Sequence, residues 1–382
     1  LGLRDKLTVG AIRVSKENRN YSATRGAETR EVLSRANASL KLLENGTDGT
    51  ESYGYIEHWQ EASSTAYQLV ADLGTTSDDL LIVSFDTPFL FLGELLQGLH
   101  NAHYVHIPRS TGLLHDPAYQ QRISAEKHAY SLPSYKGQNI LGAISPYMKR
   151  HLMDDYGVRG GKMKPIYNGV LMNDHEKYTT SEVNKAVTDV GLTPDDKFIL
   201  AYGRAHEYKG FHTMLKALAL MDNPPAFVLI AASNQKSNSY VDSLKKLIKE
   251  NSLTGKLITH FDQSLPLLLQ QAPSLQAVVV PSLKEPFGLI PVENFANPYS
   301  VAPVIAAESG GLTMQVLNGV TGLTYKPGSA PQLADCIAYA CKMDSEERDR
   351  LKIKAMGHVR ENFDYSHNIE FFMSDLVNIG NL

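Results

Sequence analysis

The stretch Ala277-Val-Val-Val-Pro-Ser-Leu-Lys-Glu-Pro-Phe-Gly-Leu-Ile-Pro-Val-Glu293 decides the fold. An apolar strand ends at Pro281-Ser282. A loop follows that holds Glu285, Phe287 and Gly288. A helix then begins near Leu289 and carries Glu293, with seven residues between the two carboxylates. In a parallel sheet, such a loop sits at the carboxyl end of its strand, where α/β sheets bind ligands. Backbone N–H groups at the helix start can take phosphate or sugar oxygens. Gly288 permits close approach. A carboxylate accepts two hydroxyl protons at once, which suits sugar and ribose diols. An isolated Glu pair would read as a capped helix with two solvated acids. The Pro281-Ser282 and Phe287-Gly288 pairs favour the ligand-binding reading.

A second constellation is Ala201-Tyr-Gly-Arg-Ala-His-Glu-Tyr-Lys-Gly-Phe-His212. It follows an expected strand and leads into an expected helix. Arg204 offers a planar bidentate cation and Lys209 a flexible point charge, together a diphosphate clamp. Singly, each would read as a surface cation. Gly203 and Gly210 beside them, at a strand-to-helix turn, favour the clamp.

Outward from these two loops, short β-rich apolar runs alternate with amphipathic helical segments. That alternation argues for α/β units around parallel sheets. In the first half, strands are expected at 7–14, 80–85, 104–107, 140–143 and 164–166. Helices are expected near 27–43, 57–73, 88–100, 117–131 and 145–155. The polar stretch 172–197 reads as a linker with a short helix. Strands then recur at 198–202, 226–231, 257–260, 277–280 and 304–306. Helices recur at 212–220, 239–250, 265–271, 291–297, 311–318, 331–342 and from 345. A last helix is expected from about 366 to 377, with Ser366 as its N-cap.

The 382 residues include 37 Lys and Arg against 41 Asp and Glu, a formal net charge of −4. The length suits two or three domains, and the 43% apolar content suits a normal core. The mild negative charge argues against a nucleic-acid binder. Cys336 and Cys341 lie five apart on one expected helix. The rise between them, about 7.5 Å, is beyond easy disulfide reach, so a reducing compartment is expected. Sequons at Asn20, Asn37 and Asn45 read as chance. No window reaches the roughly 18 apolar residues of a membrane span. The chain begins Leu-Gly-Leu, without an export leader, as a trimmed or processed chain would.

Absences narrow the chemistry. There is no Gly-x-Gly-x-x-Gly, no Gly-x-x-x-x-Gly-Lys-Ser/Thr and no Gly-x-Ser-x-Gly. No Asp-x-Asp metal pair occurs. His103 and His106 are three apart on an expected strand, so they face opposite ways and make a poor metal pair.

Gly203-Arg204-x(4)-Lys209-Gly210, followed by Pro281-Ser-x-x-Glu285-x-Phe-Gly288-x(4)-Glu293, resembles the retaining nucleotide-sugar glycosyltransferases of family 4. The resemblance runs from about Tyr104 to the end. It is supported by Asn168-Gly-Val170, by Glu308-Ser-Gly-Gly311 and by Asn318-Gly-Val-Thr-Gly-Leu323. The run from Ala143 to Val158 also resembles the strand, serine and helix that precede the family's domain junction. It implies the GT-B fold: two Rossmann-like α/β domains whose parallel sheets face across a cleft. Residues 1–170 would form the acceptor-side domain and 171–365 the donor-binding domain. The helix over about 366–382 has the option of packing back on the first.

The resemblance also implies roles. Arg204 and Lys209 would hold the donor diphosphate, Glu293 the ribose and Glu285 the sugar hydroxyls. The backbone of Phe287, Gly288 and Leu289 would contact sugar and phosphate. His106 matches the family's active-site histidine at the end of a first-domain strand. His260, Phe261 and Asp262 lie where the family holds the nucleobase. At the amino end, Arg25-Gly26-Ala27 would stand in for the family's Gly-Gly loop.

The implied reaction moves a hexose from a nucleoside-diphosphate sugar, UDP-linked before GDP-linked, to a hydroxyl acceptor with retention. No metal and no tightly bound cofactor are expected. The leaving diphosphate would take the acceptor proton. The enzyme would work in the cytoplasm, with peripheral membrane contact an option. Alternatives are a GT-B sugar phosphorylase, a sugar-nucleotide epimerase, or a two-lobed sugar-binding protein. The last would not need Arg204 with Lys209.

Overall fold

The structure is a computed structural model. It describes residues 7–18, 21, 23–49, 54–74, 80–134, 139–172, 175–233, 238–260 and 264–380. The chain divides into two compact units. One comprises Leu1–Ile144, Lys149–Ile166 and Phe372–Leu382, the other Ser145–Met148 and Tyr167–Phe371.

In the first unit β1 (Thr8–Ile12) pairs in parallel with β2 (Ser39–Leu43). A separate parallel sheet runs in chain order through β3 (Leu80–Phe85), β4 (Ala102–Ile107), β5 (Ile140–Ala143) and β6 (Met163–Pro165). Its helices are α1 (Ala23–Arg35), α2 (Ile56–Gly74), α3 (Leu92–Leu95), α4 (Gly112–His115) and α5 (Gln120–Ser131). Helix α2 buries Trp59, Ala62, Ser63, Ala66 and Val70. That three-and-four spacing is one face of a helix, and its Ala66 and Val70 pack with Leu43, Leu92, Leu96 and Tyr104.

Three first-half expectations change here. The helix expected over 27–43 ends at Arg35, and β2 occupies its second part. Asn37 sits in the left-handed region (φ 52) and stops the helix. The expected 88–100 helix breaks into a 3₁₀ turn at Thr87–Phe89, the short α3 and another turn at Leu96–Gly98. Gly93 is needed there, because a Cβ would meet Tyr104 and Asn139 at 2.7 Å. Arg25 and Gly26 lie inside α1, not in a loop, so they do not form the expected glycine loop. Their neighbours Ala23, Ala27 and Glu28 are good helix formers.

Helix α6 (Pro146–Asp154) belongs to the second unit as far as Met148 and to the first from Lys149. The second unit continues with α7 (Thr180–Asp189), the helix within the polar stretch, whose capping box joins Thr179 and Glu182. Then come β7 (Phe198–Arg204), α8 (Phe211–Ala219), β8 (Ala226–Ala232), α9 (Ser239–Glu250), β9 (Gly255–Ile258) and α10 (Ser264–Leu269). They are followed by β10 (Leu275–Val280), α11 (Leu289–Ala296), β11 (Val304–Ala307), β12 (Leu323–Tyr325), α12 (Ala330–Lys342) and α13 (Ser345–Asn362). The six strands form one sheet in the order β12-β11-β10-β7-β8-β9, with every pairing parallel. Strands covered on both faces need no polar alternation. Ile199, Leu200, Val228, Leu229, Ala277 and Val278 are accordingly fully buried.

The expected helix 311–318 is a 3₁₀ stretch, Gly310–Met314, and Gly310 has φ 54. Helix α14 (Tyr365–Gly380) follows α13. Its cap is Asp364 rather than Ser366: the Asp364 carboxylate accepts the Ser366 N–H at 3.0 Å. The boundary of the second unit falls after Ile166 rather than after Val170. Val170 N–H donates to the Phe363 carbonyl at 2.9 Å, and Tyr365 N–H donates to the Val170 carbonyl at 3.1 Å. Gly169 fits only as glycine, since a Cβ would lie 2.2 Å from the Phe363 carbonyl oxygen. Residues 145–148 join the same unit, and the Ser145 hydroxyl donates to the Pro286 carbonyl at 2.7 Å.

Candidate functional site

Read from β9 across to β12, the strand order reverses its chain direction between β7 and β10. A doubly wound sheet has its ligand crevice at that point, outside the carboxyl ends of the strands. The loops that leave β7 and β10 are the two singled out in the sequence. They are tied together. Leu283 N–H donates to the Tyr208 carbonyl at 2.7 Å. Gly210, with φ 67, passes so close that a Cβ would lie 2.0 Å from the Pro281 carbonyl oxygen.

That contact brings Lys209 and Glu285 together. Lys209 Nζ lies 2.5 Å from Glu285 Oε2, and the two side chains are only 16% and 11% exposed. Ser282 Oγ donates to the same carboxylate oxygen at 3.1 Å. The Glu285 carbonyl accepts Gly311 N–H at 2.8 Å. Arg204, at the end of β7, is exposed and rests near the Tyr208 ring, 6.0 Å from its centroid. Lys209 Nζ is 5.6 Å from that ring, and the His206 ring lies against it at 4.3 Å, tilted by 37°. Two cations therefore share one aromatic platform.

Gly288 is the N-cap of α11 with φ 88 and supplies no side-chain cap. A Cβ there would meet Leu312 at 2.6 Å. Leu289 and Ile290 are the first helical residues, and Pro291 has no N–H to offer. The first two N–H groups of α11 thus lack helical partners. Phe287 is buried, its ring 5.8 Å from Phe363, and its carbonyl accepts Gln315 Nε2 at 2.8 Å.

Glu293, half-buried in α11, makes no side-chain hydrogen bond or ion pair among the described residues, and burial pushes its carboxyl above the usual range. Burial raises the Tyr202 phenol too, with the Glu293 carboxylate adding to it. Tyr202 OH accepts Gln270 Nε2 at 3.0 Å, and Asn294 donates to Gln270 at 3.2 Å behind it. An open groove of about 910 Å³ runs along this edge past Arg204, Tyr208, Ser233, Asn238 and Ile290.

The remaining candidates are placed differently. His260 is exposed, just beyond β9; Phe261 and Asp262 lie outside the described residues. His106 belongs to the first unit and is 4% exposed. Its Nδ1 lies 2.9 Å from Ser84 Oγ, and the Tyr104 and Tyr130 ring centroids are 6.5 and 6.1 Å from its own. Its Nε2 is buried without a partner among the described residues. Burial, with Lys162 nearby, pulls its pKa down to about 3, so the ring is neutral. The expected substrate-facing histidine is enclosed. Among the described residues no three His, Cys, Asp or Glu side chains gather as a metal site. Sequence reasoning gave no role to Tyr208, Ser282 or Gln315. The position of Tyr208 between two cations was the one available signal.

Parallel sheets with this switch-point crevice define a doubly wound α/β protein, the design of each half of the GT-B type. Structural likeness agrees. HepE from Anabaena, solved with UDP-glucose, matches with TM-score 0.70 and 20% identity, over 92% of this chain and 89% of that one. Sucrose-phosphate synthase from Thermosynechococcus elongatus matches with TM-score 0.73 and 19% identity, over 98% of each. Residues 184–357, which span the crevice and its two loops, match the family of glycosyl transferases group 1. A D-inositol 3-phosphate glycosyltransferase from Nocardia farcinica is 26% identical over 226 residues, 58% of this chain and 48% of the relative. The chain spans about half the length of the curated relatives it matches.

Proposed function

We propose that this chain is a retaining glycosyltransferase. It moves a hexose from a nucleoside-diphosphate sugar, UDP-linked first, to a hydroxyl of an acceptor, without a metal. The observation that carries the reading is the group of Arg204, Lys209, Glu285 and the open start of α11 at the switch point of the second sheet. The UDP-glucose held by the Anabaena fold relative supports the donor class. The second unit is the donor side in this reading and the first the acceptor side. The setting is the cytoplasm; no helix among the described residues is long and apolar enough to cross a membrane.

The barrier is charge separation between an oxocarbenium-like sugar and a departing diphosphate. Arg204, Lys209 and the two α11 N–H groups face the charge that develops on the diphosphate. Donors fixed in advance in this way are worth several kcal/mol, on the order of 3 for a single one. Glu293 receives the ribose hydroxyls and Glu285 the sugar hydroxyls. The bond from the anomeric carbon to the phosphate oxygen breaks as the bond to the acceptor oxygen forms on the same face. The acceptor proton passes to the leaving diphosphate. His106 has no proton-transfer role here, because its ring is enclosed.

Thermal shift with UDP, GDP, ADP and TDP tests the reading. One nucleotide stabilises the wild type, by about 2.7 kcal/mol at one hundred times its Kd, and Arg204→Ala loses the shift. No shift with any of the four overturns the donor site. Inversion at the anomeric carbon of the product, read by NMR, overturns retention.

A further inference from the structure

Lys209 and Glu285 come from different loops, yet nearly every atom around them is fixed. Gly210 and the Leu283–Tyr208 hydrogen bond lock the two loops together. Ser282 and Gly311 hold Glu285 by its carboxylate and its carbonyl. Gly310 fits under it only as glycine, with a Cβ 2.0 Å from the Glu285 carbonyl oxygen. The ion pair is therefore a built feature of the free unit. It neutralises the inner cation and leaves Arg204 as the exposed one.

We propose that Glu285, through this pair, is the specificity residue that distinguishes a sugar-bearing nucleoside diphosphate from the bare nucleoside diphosphate. The inference rests on the donor-site reading above. A terminal phosphate carries about one more negative charge than a phosphate esterified by a sugar, since its second ionisation lies near pH 6. A diphosphate that draws on Lys209 places that charge beside the Glu285 carboxylate. Bare nucleoside diphosphate meets repulsion there. A hexose in the same place offers hydroxyl donors, which the carboxylate accepts. Glu285 thus costs affinity for the leaving group and returns it only while the sugar is attached. The same carboxylate that holds the donor speeds release of the product.

Calorimetric titration of the full chain with UDP and with UDP-glucose at pH 7.5 tests this. Glu285→Gln tightens UDP by about tenfold, the scale of one charge contact in a partly screened site, and weakens UDP-glucose. Glu285→Asp keeps the charge, so its UDP affinity stays within about twofold of wild type by the same rule. Glu285→Ala is read beside the amide and carries the same expectation for UDP, which covers an amide variant that does not fold. Unchanged or weaker UDP binding in the uncharged variants overturns the proposal, as does an Asp variant that tightens UDP as much as Gln does. A wild type that binds neither ligand overturns the UDP-linked form of the donor-site reading and this inference with it. A wild type that binds both while the variants fail their expectations overturns this inference alone.

Discussion

A single amino group and a single carboxylate set the character of the crevice. Lys209 and Glu285 are nearly withdrawn from water. Removing one partner of such a pair leaves the other charge stranded, which costs about 3–5 kcal/mol. Lys209→Met is expected to lose stability near the lower end of that range, because Ser282 still serves the carboxylate. Adding Glu285→Gln recovers most of it, because neighbouring substitutions couple. Urea unfolding of the two single variants and the double variant checks this. Equal stability of Lys209→Met and wild type rules out the pair in solution. The sequence named both residues and assigned them separate ligands. Their bond was not legible, because it depends on Gly210 passing under Pro281, a contact between loops 71 positions apart in the chain.

Helix α11 carries the second electrostatic feature. Glu293 lies in it without a hydrogen-bond or ion-pair partner among the described residues, and burial raises its pKa. The folded state then holds the proton more tightly than the unfolded chain does. Stability falls as pH climbs from the ordinary carboxylate range through the raised folded value. Glu293→Gln is expected to raise Tm at pH 7, to leave it nearly unchanged at pH 4, and to weaken nucleotide binding. An unstabilised variant at pH 7 counts against an unpaired, half-buried carboxylate. A site that keeps such a group sacrifices stability for ligand contacts.

Elements differed in how well the chain announced them. Strands such as β3, β5 and β8 stood out because each is a short apolar run between turn residues. Strand β2 did not, because Ser39-Leu-Lys-Leu-Leu43 continues the helix-like composition of α1 and only the backbone of Asn37 separates them. Strand β12 is three residues long, too short to show a period. The donor loops were legible because their glycines and charges cluster. The enclosure of His106 was not, since the alternation of β4 does not say how deeply α5 and its Tyr130 cover that face.

At the scale of the whole molecule the two units are built to different standards. Among the described residues the second has one continuous six-stranded sheet, the first has a two-stranded and a four-stranded sheet, and β1 is nowhere fully buried. Trp59, the sole tryptophan, is fully buried in α2 and reports on the first unit. Its emission is expected to shift at a lower temperature than the main loss of far-ultraviolet circular dichroism, since unfolding of a two-unit chain need not be two-state. Coincident transitions refute this difference in local stability.

The short bridge of Val170 with Asp364 has a consequence for how the chain can be cut and rejoined. It pins the start of the long second-unit segment against residues near that segment's end. Closely apposed termini are what excision and circular permutation require. A fragment spanning 167–371 would carry this clasp within itself, with Asn368 reaching back to the Tyr167 carbonyl at 3.0 Å. Of the connections described here it would give up the support of Ser145 under Pro286. The crevice and both of its loops would travel intact in that fragment, a self-fastened cassette open to transplantation.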